Sequence, residues 1–196
     1  VKQVDVMPRH RCAQTRAHFV DKHTVPQALR FHASLEYWDE GRAIGRFPAM
    51  VAAVTDVDGR MVSVHRTYLT WDGRKAHVGV VKKMTKCSAQ LAGCSIKLGK
   101  IDLLQGVQIL GVAEGVETAL ACMAASGIPT VSSISAQGME RYHWPEGTRC
   151  LIVFADNDAN EVGQQAAAGL AHRALSSGLP VRVLMPPTVD SDWADV

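Results

Sequence analysis

Three acids stand where strand-like runs end. Glu114 follows the apolar run Ile109–Ala113, and Asp156 and Asp158 follow Leu151–Ala155 with one residue between them. In extended backbone, side chains two apart point the same way, so the two aspartates can aim at one point. Carboxylates ~4 Å apart repel by about 4 kcal/mol at an effective dielectric near 20. A shared proton or a bound cation must offset that. Oxygen donors unaccompanied by His or Cys suit a hard ion, Mg²⁺ or Mn²⁺. The competing reading is structural: the aspartates cap a helix beginning near Asn160 or Glu161. Glu114, at the end of a second strand, brings the metal reading level with the capping one, because ligands of an open parallel sheet collect outside the carboxyl ends of its strands.

The elements that must carry these acids alternate. From about Gln108, strand-like Ile109–Ala113 is followed by an alanine-bearing helical run over 116–125, then strand-like 130–134 and 149–155. A long Ala-rich helix over 161–177 closes at Gly178 and Pro180, and 181–185 reads as a fourth strand. Such alternation implies a parallel sheet with helices on its faces. The preceding half reads differently. A short helix ending near Lys22-His23 and a loop-rich stretch to about Phe47-Pro48 lead into β-rich runs at 50–56 and 61–70, joined by Val57-Asp-Gly-Arg60. Asp72-Gly73 joins the second run to 77–81, and Asp-Gly between such runs signals hairpins, so an antiparallel meander is expected. The expected organisation is a basic α+β subdomain over 1–104 and an α/β domain over 105–196.

Charge is segregated in the same way. Val1–Asp102 carries 17 Lys+Arg against 9 Asp+Glu, and Leu103–Val196 carries 4 against 10, which together give the net +2 of the chain. A basic half ahead of an acidic half suggests a polyanion held by one and cations held by the other. Between Gly73 and Ile101 lie Arg74, Lys75, Lys82, Lys83, Lys86, Lys97 and Lys100, with no acid. Such a run is a solvated face or a groove that neutralises nucleic-acid phosphates with salt-dependent affinity. Tyr68 and Trp71 precede it and could stack bases, although core packing is the commoner use of an aromatic. His65-Arg66, on the second hairpin strand, could instead face the acids and touch a nucleotide triphosphate.

Several classes are excluded. Five scattered cysteines without a C-x-x-C pair argue against a disulfide framework and a zinc ribbon, and for a reducing, cytoplasmic setting. His10 and Cys12 lack a second ligand pair. No apolar run reaches the ~18–20 residues of a membrane span. G-C-S-I-K-L-G-K-I (93–101) misses the phosphate-loop spacing by one residue and ends in Ile101 where Ser or Thr is required. No nucleophile elbow accompanies Ser132, Ser133 and Ser135. The start at Val1 and the end at Asp195-Val196 are those expected of a piece of a longer protein.

V-A-E-G-V-E-T-A-L (112–120), S-A-Q-G (135–138) and F-A-D-N-D (154–158) together resemble a Toprim domain. Bacterial-type primases, type IA and type II topoisomerases and OLD-family nucleases share that fold. The E-G-x-E-T-A-L form, G-Q-Q-A-A-A-G-L-A (163–171), D-S-D-W-A-D-V (190–196) and the segments preceding them are similar to Toprim DNA primases of phages and of conjugative or integrative elements. The resemblance implies that Glu114 is a general acid or base in nucleotidyl transfer, and that Asp156 and Asp158 hold Mg²⁺ or Mn²⁺. Many primases carry an Asp four residues after the glutamate. Here that position is Thr118, and Glu117, one residue earlier, points differently. Asp192 and Asp195 match the pattern near the domain's end as added carboxylates or as surface-loop residues.

The function so implied is metal-dependent, template-directed synthesis of short primers on single-stranded DNA from NTPs, in company with a helicase or other replication protein. Arg66, Arg74, Lys75, Lys82, Lys83, Lys86 and Lys97 are then the nucleic-acid and nucleotide contacts. The alternatives are a Toprim nuclease that cuts DNA with the same acids and a non-catalytic DNA-binding module. A topoisomerase is disfavoured, since Tyr37, Tyr68 and Tyr142 have no recognisable catalytic setting.

Overall fold

In the computed structural model, residues 25–99, 109–189 and 193 are described. The helix expected before Lys22-His23, the His10/Cys12 pair, Lys100, Asp192 and Asp195 lie outside them. The described residues build two sheets. The first is antiparallel, in the order β1 (Leu29–Asp39), β2 (Arg42–Thr55), β3 (Met61–Tyr68), β4 (Lys82–Met84). The second has the order β5 (Ile96–Lys97), β7 (Thr130–Ser132), β6 (Ile109–Ala113), β8 (Cys150–Phe154), β9 (Val181–Leu184). Its last four strands run parallel and β5 is an antiparallel edge. Helices α1 (Val116–Ser126), α2 (Ala136–Glu140) and α3 (Val162–Ser176) fill the crossovers.

The meander is present but longer at its start and later at its end than its turn residues suggest. The stretch read as loop up to Phe47-Pro48 is a hairpin of β1 and β2. Its turn is Glu40-Gly41, both residues left-handed, the conformation a two-residue hairpin turn requires. Glu-Gly is a weaker signal than Asn-Gly or Asp-Gly. A bulge between His32 and Leu35 hides the strand further. Because one extra residue swaps faces, Leu29 and Phe31 pair with Ala52 and Met50, while Leu35 and Tyr37 sit opposite Phe47 and Gly45. The return strand expected at 77–81 is instead β4, where Lys82 to Met84 pair with Thr67 to His65. Residues 70–81 make a turned loop, anchored by the Val80 N–H donating to the Tyr37 hydroxyl at 3.0 Å.

Three cores show the layering. Tyr37, Ala49 and Tyr68 pack on the outer face of the first sheet. Tyr68 was a candidate for base stacking. It is fully buried, rings edge-to-face against Tyr37 at 5.0 Å, and donates to the Glu36 carbonyl at 2.8 Å. Met50, Ala52 and Val54 of the inner face meet Val116, Ala119 and Cys122 of α1, and Ala113 and Phe154 of the second sheet. Leu110, Val112, Leu151 and Val153, on that sheet's far face, meet Ala166, Ala167 and Leu170 of α3. Strands β6 and β8 are therefore covered on both sides, as near-continuous apolar runs should be, and α1 lies between the two sheets. Among the described residues no helix is long and apolar enough to cross a membrane.

Candidate active site

Strands β6 and β8 are neighbours, with Ala113 level with Phe154. The helices that follow them, α1 and α3, pack on opposite faces of the sheet. That divergence is a topological switch point, where a crevice opens beyond the strand ends. Glu114 leaves β6 into this crevice, and the Asp156-Asn157-Asp158 loop leaves β8 beside it. Two segments about 40 residues apart in the chain are thus one strand spacing apart.

Gly163, in the first turn of α3, marks where they converge. A methyl group at its Cα would stand 3.4 Å from Asp158 Oδ2, 3.6 Å from the Asp156 carbonyl oxygen and 3.9 Å from Glu114 Oε2. Glycine leaves this space to oxygen ligands and their occupant. The charge environment agrees with the geometry. Burial pushes the Glu114 carboxyl above the usual range, and the charge of Asp158 pushes it further, against Lys82 and a hydrogen bond from the Ala136 N–H. Glu114 and Asp158 are the two carboxylates brought together here, and Asp156 contributes its backbone oxygen. Among the described residues no three His, Cys, Asp or Glu side chains form a ready cluster for a metal ion. The donors that do converge are all oxygen, the chemistry of a hard divalent cation.

The residue between the aspartates turns the other way. Asn157 is buried and donates through Nδ2 to the Pro186 carbonyl at 2.9 Å. Gln164 Nε2 donates to the Asp158 carbonyl at 2.8 Å, and Trp193 Nε1 to the Ala155 carbonyl at 3.1 Å. The loop is therefore held from α3 and from the chain after β9. Sequence reasoning missed Asn157 and Gln164. Their signal was the polar residue inside D-N-D and the first glutamine of G-Q-Q. Backbone strain gathers at the same place. Glu40, Ile134 and Glu161 have positive φ (45°, 77° and 57°), and the last two flank the loops beside Glu114 and Asp158. Left-handed conformations of this kind cost of order 1–3 kcal/mol each.

The first sheet faces the site with one edge of its inner surface. Lys82 Nζ lies 3.2 Å from Glu117 Oε2, so Glu117 pairs across the layers. Burial opposes the charge of Glu117, but Lys82, a backbone N–H and Lys75 outweigh it and hold the carboxyl below its usual range. His65 and Thr67 share the inner face with Lys82, level with Ala52 and Met50. Burial, reinforced by Lys82, lowers the His65 pKa to about 4 against the pull of Glu117. The His65-Arg66 pair thus divides. His65 looks toward α1, while Arg66 lies on the outer face beside Val51 and Lys83, donating to the Met84 carbonyl at 3.2 Å.

The remaining cations are put to different uses. Lys83 bonds the Trp38 carbonyl and Asp39 (3.1 Å) and sits 4.1 Å from the centre of the Tyr37 ring. Lys97, on β5, donates to the Val57 carbonyl at 3.2 Å, and burial lowers its pKa. Arg74 pairs with Asp72 at 3.2 Å in an exposed turn. Lys75, Lys86 and Trp71 are exposed.

The Toprim domain profile matches residues 109–196, and a domain of unknown function, DUF7146, matches residues 10–95. No curated protein sequence matches significantly. Among solved structures, the primase fragment of the bacteriophage T7 primase-helicase protein is similar over 99% of this chain and 74% of its own, at 20% identity and a TM-score of 0.60. A DNA primase domain from Pseudomonas aeruginosa matches over 83% and 51%, at 16% identity and 0.52. A DnaG primase catalytic domain bound to ssDNA matches over 81% and 51%, at 18% identity and 0.53. The chain spans about half the length of the last two. Residues 109–196 are a Toprim domain, and together with the antiparallel sheet before it they share the fold of the DNA primase catalytic cores.

Proposed function

We propose that this chain is the core of a metal-dependent DNA primase of the kind carried by phages and by conjugative or integrative elements, acting in the cytoplasm on single-stranded DNA. The observation that carries the reading is the meeting of Glu114 and Asp158 at Gly163, beyond the ends of two adjacent parallel strands. In the reaction the 3′-oxygen of one nucleotide attacks the α-phosphorus of the next NTP, the bond to the β-phosphate oxygen breaks, and pyrophosphate leaves. Glu114, its carboxyl raised by burial and by Asp158, accepts the proton of the attacking hydroxyl. Glu114, Asp156 and Asp158 would hold Mg²⁺ or Mn²⁺, which when bound neutralises charge on the reacting phosphate and makes the hydroxyl more acidic.

Lys82, across from the acids, offers positive charge to phosphate, and the exposed Arg74, Lys75 and Lys86 track the template backbone. Arg66, Lys83 and Lys97 serve the first sheet and its loops. The proposed domain border lies near residue 104, with 1–104 holding template and 105–196 performing transfer. A helicase or another replication protein supplies the remaining context, as the primase-helicase origin of one similar structure suggests.

The test is incubation with single-stranded DNA, labelled NTPs and Mn²⁺ or Mg²⁺. Short labelled oligomers whose composition follows the template are expected. Cleaved DNA with NTPs unused would replace the reading with a nuclease, and DNA binding without either product would replace it with a binding module.

A further inference from the structure

The loop between β7 and α2 grips the backbone at Glu114. Past the last β6–β7 pair, Ala113 with Ser132, the Ser133 N–H and hydroxyl both donate to the Ala113 carbonyl, at 2.8 and 3.1 Å. The Ser132 hydroxyl, in a fully buried residue, donates to the Glu114 carbonyl at 2.7 Å and accepts from the Ile134 N–H at 3.2 Å. The Ile134 N–H also donates to the Glu114 carbonyl, at 2.9 Å. The chain then turns at Ile134, a β-branched residue at φ 77°. Such a residue is a steric outlier in the left-handed region. The turn ends at Ser135, which caps α2 by accepting from the Gly138 N–H at 3.1 Å.

An unstrained loop residue would do if the segment only joined two elements. Glycine would accept the left-handed turn without cost, but the Ile134 side chain packs against the core between the sheets. Isoleucine therefore supplies what glycine lacks, an anchor that holds the turn in place. We infer that Ser132 and Ile134 are positioning residues for Glu114: the buried hydroxyl locks its backbone to β7, and the anchored left-handed turn keeps the Ile134 N–H on the same carbonyl. This rests on the proposed reading that Glu114 belongs to a cation-binding catalytic site. Outer contacts that orient a metal-binding group typically change metal affinity about ten- to hundredfold when removed.

The experiment is Mn²⁺ binding to the full chain, followed by electron paramagnetic resonance of the free ion, with a thermal melt of each variant. Ser132→Ala and Ile134→Gly should each weaken Mn²⁺ about tenfold while melting cooperatively, and Ser132→Thr should restore binding. In primer synthesis both should lose kcat and keep KM for NTP. If Ser132→Ala and Ile134→Gly bind Mn²⁺ as the wild type does while Glu114→Gln weakens it, the positioning role is overturned and the site stands. If Glu114→Gln also binds as the wild type does, or the wild type binds no Mn²⁺, the reading of the site falls and the inference with it.

Discussion

The two sheets use their charged residues in opposite ways. In the second, Glu114 and Asp158 come from separate loops and meet at a point that a glycine keeps open. In the first, cations are tied down within the sheet itself: Lys83 to Asp39 and the Tyr37 ring, and Arg66 to the Met84 carbonyl. The difference lies in what places them. A residue just past a parallel strand has its position set by the sheet, whereas a charge count says nothing about which face of a strand a lysine takes. Lys82 and Lys83 make the point at one step of sequence: one meets Glu117 across the layers, and the other is tied to the edge of its own sheet.

The largest effect is expected at the acids. Asp158→Asn should lower kcat for primer synthesis about 10²-fold or more while leaving the melting temperature near that of the wild type, read by gel assay and calorimetry. Gly163→Ala changes the same point without removing an acid. The added methyl meets Asp158 Oδ2 at ordinary contact distance, so the fold should tolerate it and helix propensity should favour it by up to about 1 kcal/mol. Activity should nevertheless fall about ten- to hundredfold. A variant more stable and less active separates the site from the scaffold.

The first sheet carries a pH signature of its own. With a folded pKa of about 4 against an ordinary 6.5, His65 refuses a proton that the unfolded chain accepts. Stability is then full above about pH 6.5 and falls by roughly 3 kcal/mol as pH drops to about 4. Denaturant melts across that window should show a flatter slope for His65→Leu. The smallest effect compares the neighbours. Lys82→Ala should weaken binding of single-stranded DNA and reduce its salt slope by about 1. Lys83→Ala should leave the slope unchanged and lower the melting temperature.

The alternation after residue 108 was legible because β6 and β8 are short apolar runs and α1 and α3 carry repeated alanines, whereas the five-residue α2 gave no such signal. That Glu114 and Asp158 lie beside one another was legible because each follows the end of one of two strands that prove to be neighbours, whereas the turn that brings only the backbone oxygen of Asp156 to the same point was not. The first hairpin was not. Its bulge switches the buried face between Phe31 and Leu35, and its turn uses Glu40 where Asn or Asp would have announced it. Nor were Ser132, Ile134, Asn157 and Gln164. Their roles come from hydrogen bonds and a backbone angle created only when β7, α2 and α3 close around the acids.

The measurement that bears most directly on the division of labour is the rate of the first phosphodiester bond at saturating template and NTP, for Glu114→Gln beside Lys82→Ala. The account predicts that Glu114→Gln loses kcat by about 10²-fold or more at saturation. It predicts that Lys82→Ala recovers nearly the wild-type rate once binding is saturated, its loss residing in KM. A wild-type kcat for Glu114→Gln would contradict it, because the chemistry would then lie outside the crevice between β6 and β8.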